Sequence, residues 1–427
     1  MGSFLKRISA NKKVRAVFAL FLAICTGQFV CGCRTDFKPL PPKEARSYQS
    51  ILAWSHQNGM PGAILLVQTP ETNFVGSAGW ADVKLRIPMR PDNEFHVASI
   101  TKLFVGVTAA KLQREGLLNA DLSITNYLPQ SVTDHITNSD QITVRELLRM
   151  QSGIYNFTDN PRWQFRYLMN HHGDWPPMRC LKYAYDKPAR FPPGKGWEYN
   201  NSNFILLGLI IEKVSDHPVA AEIRKQLLDP LQITNTYYEL AEQPRGQLAH
   251  GYENLFGKRT DVTKWTVSVP GVAGMVSTAS DLAIAIRAIC GTNGFLDAPT
   301  RELLRSEVRP KSSYAGSRDS VYPVLGYDWG ISYRRAVDDN KIPVSEAPVF
   351  FGHEGDGIGS LCFAFHNPKD DITIVYFGSN TLMGLPLHSN RSWKFQHELL
   401  EKSLFELAVE QTHDLRSPAS ADSADKK

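Results

Sequence analysis

Four serines in this chain have a lysine three residues on: Ser3, Ser9, Ser99 and Ser423. The spacing suggests chemistry because a serine hydroxyl is a weak nucleophile that needs a base beside it. An amine stripped of water loses proton affinity and can act as that base. Position separates the four. Ser3 and Ser9 lie in a basic N-terminal segment and Ser423 in a polar tail. Ser99-Ile100-Thr101-Lys102 instead opens 103–110 (LFVGVTAA), a run apolar on all sides that predicts a buried helix. Three residues make almost one helical turn, so Ser99 and Lys102 share a face at the helix N-terminus, whose positive end favours a developing oxyanion. Taken alone, the pair also fits a helix-capping serine and a snorkelling lysine.

Elements able to hold such a helix lie on either side of it. Residues 62–68 (GAILLVQ) and 73–78 (NFVGSA), separated by Pro70-Glu71-Thr72, predict a β-hairpin. Far downstream, 327–333, 349–353, 360–365 and 372–377 predict four more antiparallel strands. Helical patterns dominate between them, among others over 144–150, 203–214, 220–228 and 280–289, and 395–410 predicts a covering terminal helix. A lone hairpin is not independently stable, so the two sets of strands must meet. The expected fold class is α+β, an α/β sandwich: one antiparallel sheet flanked by N- and C-terminal helices, with an inserted, mainly helical domain. The expected boundaries are a signal segment over 1–33, a tether over 34–45, a domain over 46–410 and a disordered tail over 411–427. Within the domain the sheet halves fall at about 46–104 and 292–410, and the helical insertion at about 105–291.

The segment Phe95-His96-Val97-Ala98-Ser99-Ile100-Thr101-Lys102 resembles the nucleophile segment of class C β-lactamases, serine D-Ala-D-Ala carboxypeptidases and related esterases. These proteins carry a Tyr-x-Asn about a hundred residues on. Here Tyr199-Asn200-Asn201 follows the turn Phe191-Pro192-Pro193-Gly194 and precedes an apolar helix, whereas Tyr252-Glu253-Asn254 has neither neighbour. Their third element is Lys-Thr-Gly or a His-x-Gly equivalent on the strand edging the site, and His353-Glu354-Gly355 ends a strand run. The resemblance implies the penicillin-recognising fold and an acyl-enzyme on Ser99, with no cofactor and no metal. It implies Lys102 and Tyr199 as proton carriers, and Asn201 holding both Lys102 and a substrate carbonyl. The backbone N–H groups of Ser99 and Asp356 would form the oxyanion hole, with Gly355 letting substrate approach closely. Residues 147–153 and 274–282 match further landmarks of a structural kind. The likeness runs from about residue 50 to about 410.

One departure bears on substrate. Members that bind carboxylates commonly have hydroxyl residues around the motif glycine, and here Glu354 and Asp356 stand there, sharing one strand face. Turned to the site, they would repel a carboxylate such as that of a penicillin or a D-Ala peptide. The alternative is that they face water or pair with an arginine. The sequence therefore favours a serine hydrolase acting on a small-molecule or peptide ester or amide. Alternatives are a D-Ala-D-Ala carboxypeptidase or β-lactamase and, from another class, a non-hydrolysing envelope binding module.

Composition narrows the rest. With 42% hydrophobic residues the chain can bury a large core. Its net charge of +4 owes everything to five basic residues in 1–33, whose removal leaves 42 basic against 43 acidic. No basic stripe remains to meet a nucleic acid, and a monomer is expected. Cys180, Cys290 and Cys362 are widely spaced, so one bridge is conceivable but no disulfide scaffold or zinc site. His171-His172 are adjacent and cannot share a face toward one metal. The N-terminus reads as an export signal: basic residues, then the apolar run 16–29, then Val30-Cys31-Gly32-Cys33, which resembles a lipoprotein signal with lipidation at Cys33. An uncleaved anchor or simple cleavage are the alternatives. An exported envelope protein held at the membrane by a lipid or signal anchor is expected. Labelled palmitate should be incorporated by the wild type and not by Cys33→Ser; equal incorporation would remove the lipoprotein reading.

Overall fold

The computed structural model describes residues 38–304, 324–335, 348–380 and 391–415, apart from 170, 172–174, 256–257, 266–267 and 293. Strands β1 (Gly62–Gln68), β2 (Asn73–Asp82) and β3 (Ile87–Pro88) come from the first part of the chain. Strands β9 (Val324–Asp328), β10 (Ile331–Arg335), β11 (Val349–Gly357), β12 (Ser360–Asn367) and β13 (Ile372–Gly378) come from the last. They join in one antiparallel sheet ordered β3-β2-β1-β13-β12-β11-β10-β9. The junction is β1 on β13, from Ala63 opposite Gly378 to Gln68 opposite Thr373. Both central strands are buried on both faces, which is why GAILLVQ and ITIVYFG are continuous apolar runs rather than alternating ones.

Alternate side chains of these strands feed two cores. Ala63, Leu65, Val67, Ile374 and Tyr376 pack with helices α1 (Tyr48–Gln57) and α6 (Arg391–Leu415). Ile64, Leu66, Val375 and Phe377 face the larger core of the intervening segment. That segment supplies α2 (Thr101–Arg114), α3 (Val144–Leu148), α4 (Asn201–Ser215) and α5 (Ala279–Cys290). The sheet between terminal helices, with an inserted helical part, agrees with the expected α+β sandwich.

Five differences have physical causes. The expected strand 327–333 is a hairpin: Trp329 and Gly330 have φ of 49° and 80°, left-handed values that make the turn between β9 and β10. The insertion also contains strands too short to carry a sequence period. They are β5 (Tyr237–Tyr238) and β8 (Met275–Ser277), which join β4 (Phe95–His96) from the first sheet half in one small sheet, and β6 (Tyr252–Leu255) with β7 (Lys258–Asp261) in another. Part of the expected tether is docked, since the Trp54 indole donates to the Lys38 carbonyl at 2.8 Å and the Lys38 N–H to Asn58 Oδ1 at 2.8 Å. The terminal helix runs to Leu415, past the expected start of the tail. Cys180, Cys290 and Cys362 are all buried free thiols, with no bridge among them. The signal segment, including Cys33, and residues 416–427 lie outside the described residues.

Candidate active site

Ser99 lies in the 3-10 turn Ala98–Ile100 that leads from β4 into α2. Ala98 before it has a φ of 45°, a left-handed conformation that costs a non-glycine residue on the order of 1 kcal/mol and bends the chain sharply at the serine. The turn rests against β11. A Cβ on Gly355 would stand 2.2 Å from the Val97 carbonyl oxygen, and one on Gly357 would stand 2.9 Å from Ala98 Cβ. Gly355 thus leaves room for the backbone ahead of Ser99. β11 leaves β10 after Gly352, and the turn carrying Ser99 comes against it beyond that point.

Lys102, one turn into the helix, has no exposed surface. Its amine donates to Ser99 Oγ at 3.0 Å and to the Val272 carbonyl at 3.0 Å. It stands 5.1 Å and 5.8 Å from the ring centroids of Tyr199 and Phe204. Among the described residues no carboxylate pairs with it. Burial therefore pushes its pKa well below the usual lysine range. A neutral amine in contact with a hydroxyl can accept its proton.

Tyr199 and Asn201 sit at the start of α4. Asn200 caps the helix by accepting from the Ser202 N–H at 2.8 Å, which fixes the residues on both sides of it. The Tyr199 ring faces Lys102, whereas the Asn201 amide donates to Thr158 Oγ1 at 3.2 Å. The expected grip of Asn201 on Lys102 is absent, because the Val272 carbonyl takes that place. The landmark segments serve structure: Ser152 donates to Asn203 Oδ1 at 2.6 Å, and Thr278 caps α5 by accepting from the Asp281 N–H at 3.2 Å. Tyr252 accepts the Val83 N–H at 2.8 Å.

His353 is buried, with Nε2 3.3 Å from the Tyr327 hydroxyl and Nδ1 against the Glu354 carbonyl. Burial pushes its pKa down to about 4, so the imidazole is neutral at neutral pH. Glu354 and Asp356 do share one face, but it is the wrong one for the site. They lie opposite Phe363 and Leu361, whose side chains belong to the core under α1 and α6, while His353 and Gly355 lie opposite Ala364 and Cys362 on the other face. Glu354 pairs with Arg334, which also approaches Glu401 at 3.5 Å. The expected charge repulsion at the site is therefore overturned by strand alternation and by an arginine partner. Among the described residues no cluster able to hold a metal occurs. His171 stacks on Trp265 with centroids 3.7 Å apart, and His172 lies outside the described residues.

A family model described as Beta-lactamase matches residues 45–384, which include Ser99, Lys102, Tyr199 and His353. The chain belongs to the Beta-lactamase family. It is 29% identical to protein flp of Staphylococcus aureus (strain COL) over 218 residues, 50% of this chain and 42% of that protein, so it spans less than half of that relative's length. It is 27% identical to esterase EstB of Burkholderia gladioli over 307 residues, 65% of this chain and 76% of that protein. Among solved structures, a D-stereospecific amidohydrolase from a Streptomyces species superposes with a TM-score of 0.67 at 24% identity, covering 78% of this chain and 93% of its own. That last likeness speaks for the fold alone. The chain is a Beta-lactamase family member with the penicillin-recognising fold.

Neutral Lys102 has a stability signature. The unfolded chain keeps this amine protonated to about pH 10.4, whereas the fold lowers its pKa. Folding then releases a proton, and the stability linked to this group rises with pH up to the usual lysine range. Urea unfolding of wild type and Lys102→Met should show the difference moving in favour of the wild type between about pH 7 and about pH 10. A gap independent of pH would contradict a lowered pKa.

Proposed function

We propose that this protein is a serine hydrolase that forms an acyl-enzyme on Ser99 with an ester or amide substrate and releases the acyl group to water. The observation that carries the reading is the fully buried Lys102 amine 3.0 Å from Ser99 Oγ. In the forward step Ser99 Oγ attacks the carbonyl carbon and its proton passes to Lys102 Nζ. The proton goes on to the leaving alcohol or amine, with the Tyr199 phenol beside Lys102 as the relay. The N–H groups of Ser99 and Asp356 take the oxyanion. Water then attacks the ester on Ser99, and the same groups return the proton to Oγ.

The site's charge supports neutral esters or amides over penicillins and D-Ala peptides. Where relatives by resemblance carry a lysine, His353 is neutral, and the Arg334 guanidinium on the adjoining strand is engaged by Glu354 and Glu401. A substrate carboxylate would find no free cation among these groups. The apolar N-terminal run and Cys33 support placement of the enzyme outside the cytoplasm, held at the membrane.

Ser99→Ala removes one small polar atom, so it should abolish turnover of a p-nitrophenyl acyl ester while leaving the melting temperature almost unchanged. Retained turnover above a few per cent would remove Ser99 as nucleophile. In the same assay the wild type should favour the neutral ester over a penicillin, and the reverse preference would return the carboxypeptidase or β-lactamase reading to first place.

A further inference from the structure

We propose that Tyr327 is a positioning residue of this site: its hydroxyl donates to His353 Nε2 and holds the imidazole in one tautomer and one orientation beside Tyr199. The kinetic part of the inference rests on the acyl-transfer reading above; the tautomer does not.

Tyr327 is at the end of β9, buried, with its ring edge-on to three neighbours. Centroid distances are 5.6 Å to His353, 6.1 Å to Tyr199 and 6.2 Å to Trp197. The hairpin that carries it is held from two sides. At its tip, a Cβ on Gly106 of α2 would stand 1.8 Å from the Trp329 carbonyl oxygen, and one on Gly330 would stand 2.2 Å from the Lys102 carbonyl oxygen, so hairpin and catalytic helix touch backbone to backbone. Next to Tyr327, Asp328 has no exposed surface and pairs with Arg149 at 3.2 Å. The phenol is therefore delivered to a set place rather than to a mobile edge.

The partners assign the proton. A carbonyl only accepts, so the contact between His353 Nδ1 and the Glu354 carbonyl requires Nδ1–H. Nε2 then carries the lone pair, and the Tyr327 hydroxyl, 3.3 Å away, donates to it. The groups facing His353 are Lys102 from α2, Tyr199 from the start of α4, Tyr327 from β9, Arg334 from β10 and Glu354 from its own strand. Burial and Arg334 oppose an imidazolium, Glu354 favours one, and a hydrogen bond donated to Nε2 stabilises the neutral ring. Losing that donor makes protonation easier and frees the ring to change tautomer.

Tyr327→Phe keeps the ring and removes only the donor. Histidine side-chain 15N spectra against pH should show wild-type His353 as a single tautomer protonated at Nδ1. The variant should show its titration moved up by about half a unit to one unit, as one hydrogen bond implies. With a p-nitrophenyl ester the variant's kcat should fall about tenfold at a nearly unchanged KM, and the acid limb of its kcat/KM profile should move the same way. Unchanged His353 signals in the variant would overturn the proposal. So would Nε2-protonated His353 in the wild type, a measurement that needs no variant to fold. If the wild type hydrolyses no ester, the acyl-transfer reading falls, and the spectra still decide the role of Tyr327.

Discussion

An ammonium group with no exposed surface and no carboxylate paired to it among the described residues is the constraint on which the site depends. Leaving a charged lysine there would cost several kcal/mol, so the fold stabilises the neutral amine instead. Val272 supplies a carbonyl acceptor, Phe204 and Tyr199 supply ring faces, and Ser99 supplies the hydroxyl. The same desolvation that makes the residue unfavourable for stability makes it a base, a trade expected at functional sites.

Keeping that amine dry requires three separate parts of the chain to close around the first turn of α2. The β9–β10 hairpin lies against it through Gly106 and Gly330, where only glycine leaves room for the opposing backbone. β11 meets the turn through Gly355 and Gly357, and α4 brings Tyr199 and Phe204 from the inserted segment. The left-handed Ala98 is tolerated because its neighbours hold it on both sides, with β4 paired to β8 before it and α2 after it. Sheet and helical insertion are thus joined at the nucleophile itself.

The sheet strands and long helices were legible in the sequence because each spans enough residues to show an apolar run or a helical period. The Ser99–Lys102 pair was legible because its spacing acts within one helical turn. Contacts between distant segments were not. Whether Glu354 faces the site depends on which strand face packs toward α6, and its partner Arg334 carries no marker in sequence. Asn201 was expected at Lys102, but Thr158 and the Val272 carbonyl are set by a short 3-10 turn and a loop, with no period to read. Tyr327 lies 26 residues from His353, in what reads as an ordinary strand, and Asp328 lies 179 residues from Arg149. The close approach of Val97 to Gly355 is likewise a contact between distant segments that no sequence period marks.

Desolvation holds the Lys102 amine neutral and in contact with Ser99. The direct measurement is the rate of Ser99 modification by a fluorophosphonate, followed by intact mass and peptide mapping between about pH 6 and about pH 9. A base whose pKa burial has lowered gives a rate that is flat across that range or levels off before its top. A lysine protonated as in water would instead give a rate climbing about tenfold per pH unit to the top of the range, and that result would rule out a neutral Lys102.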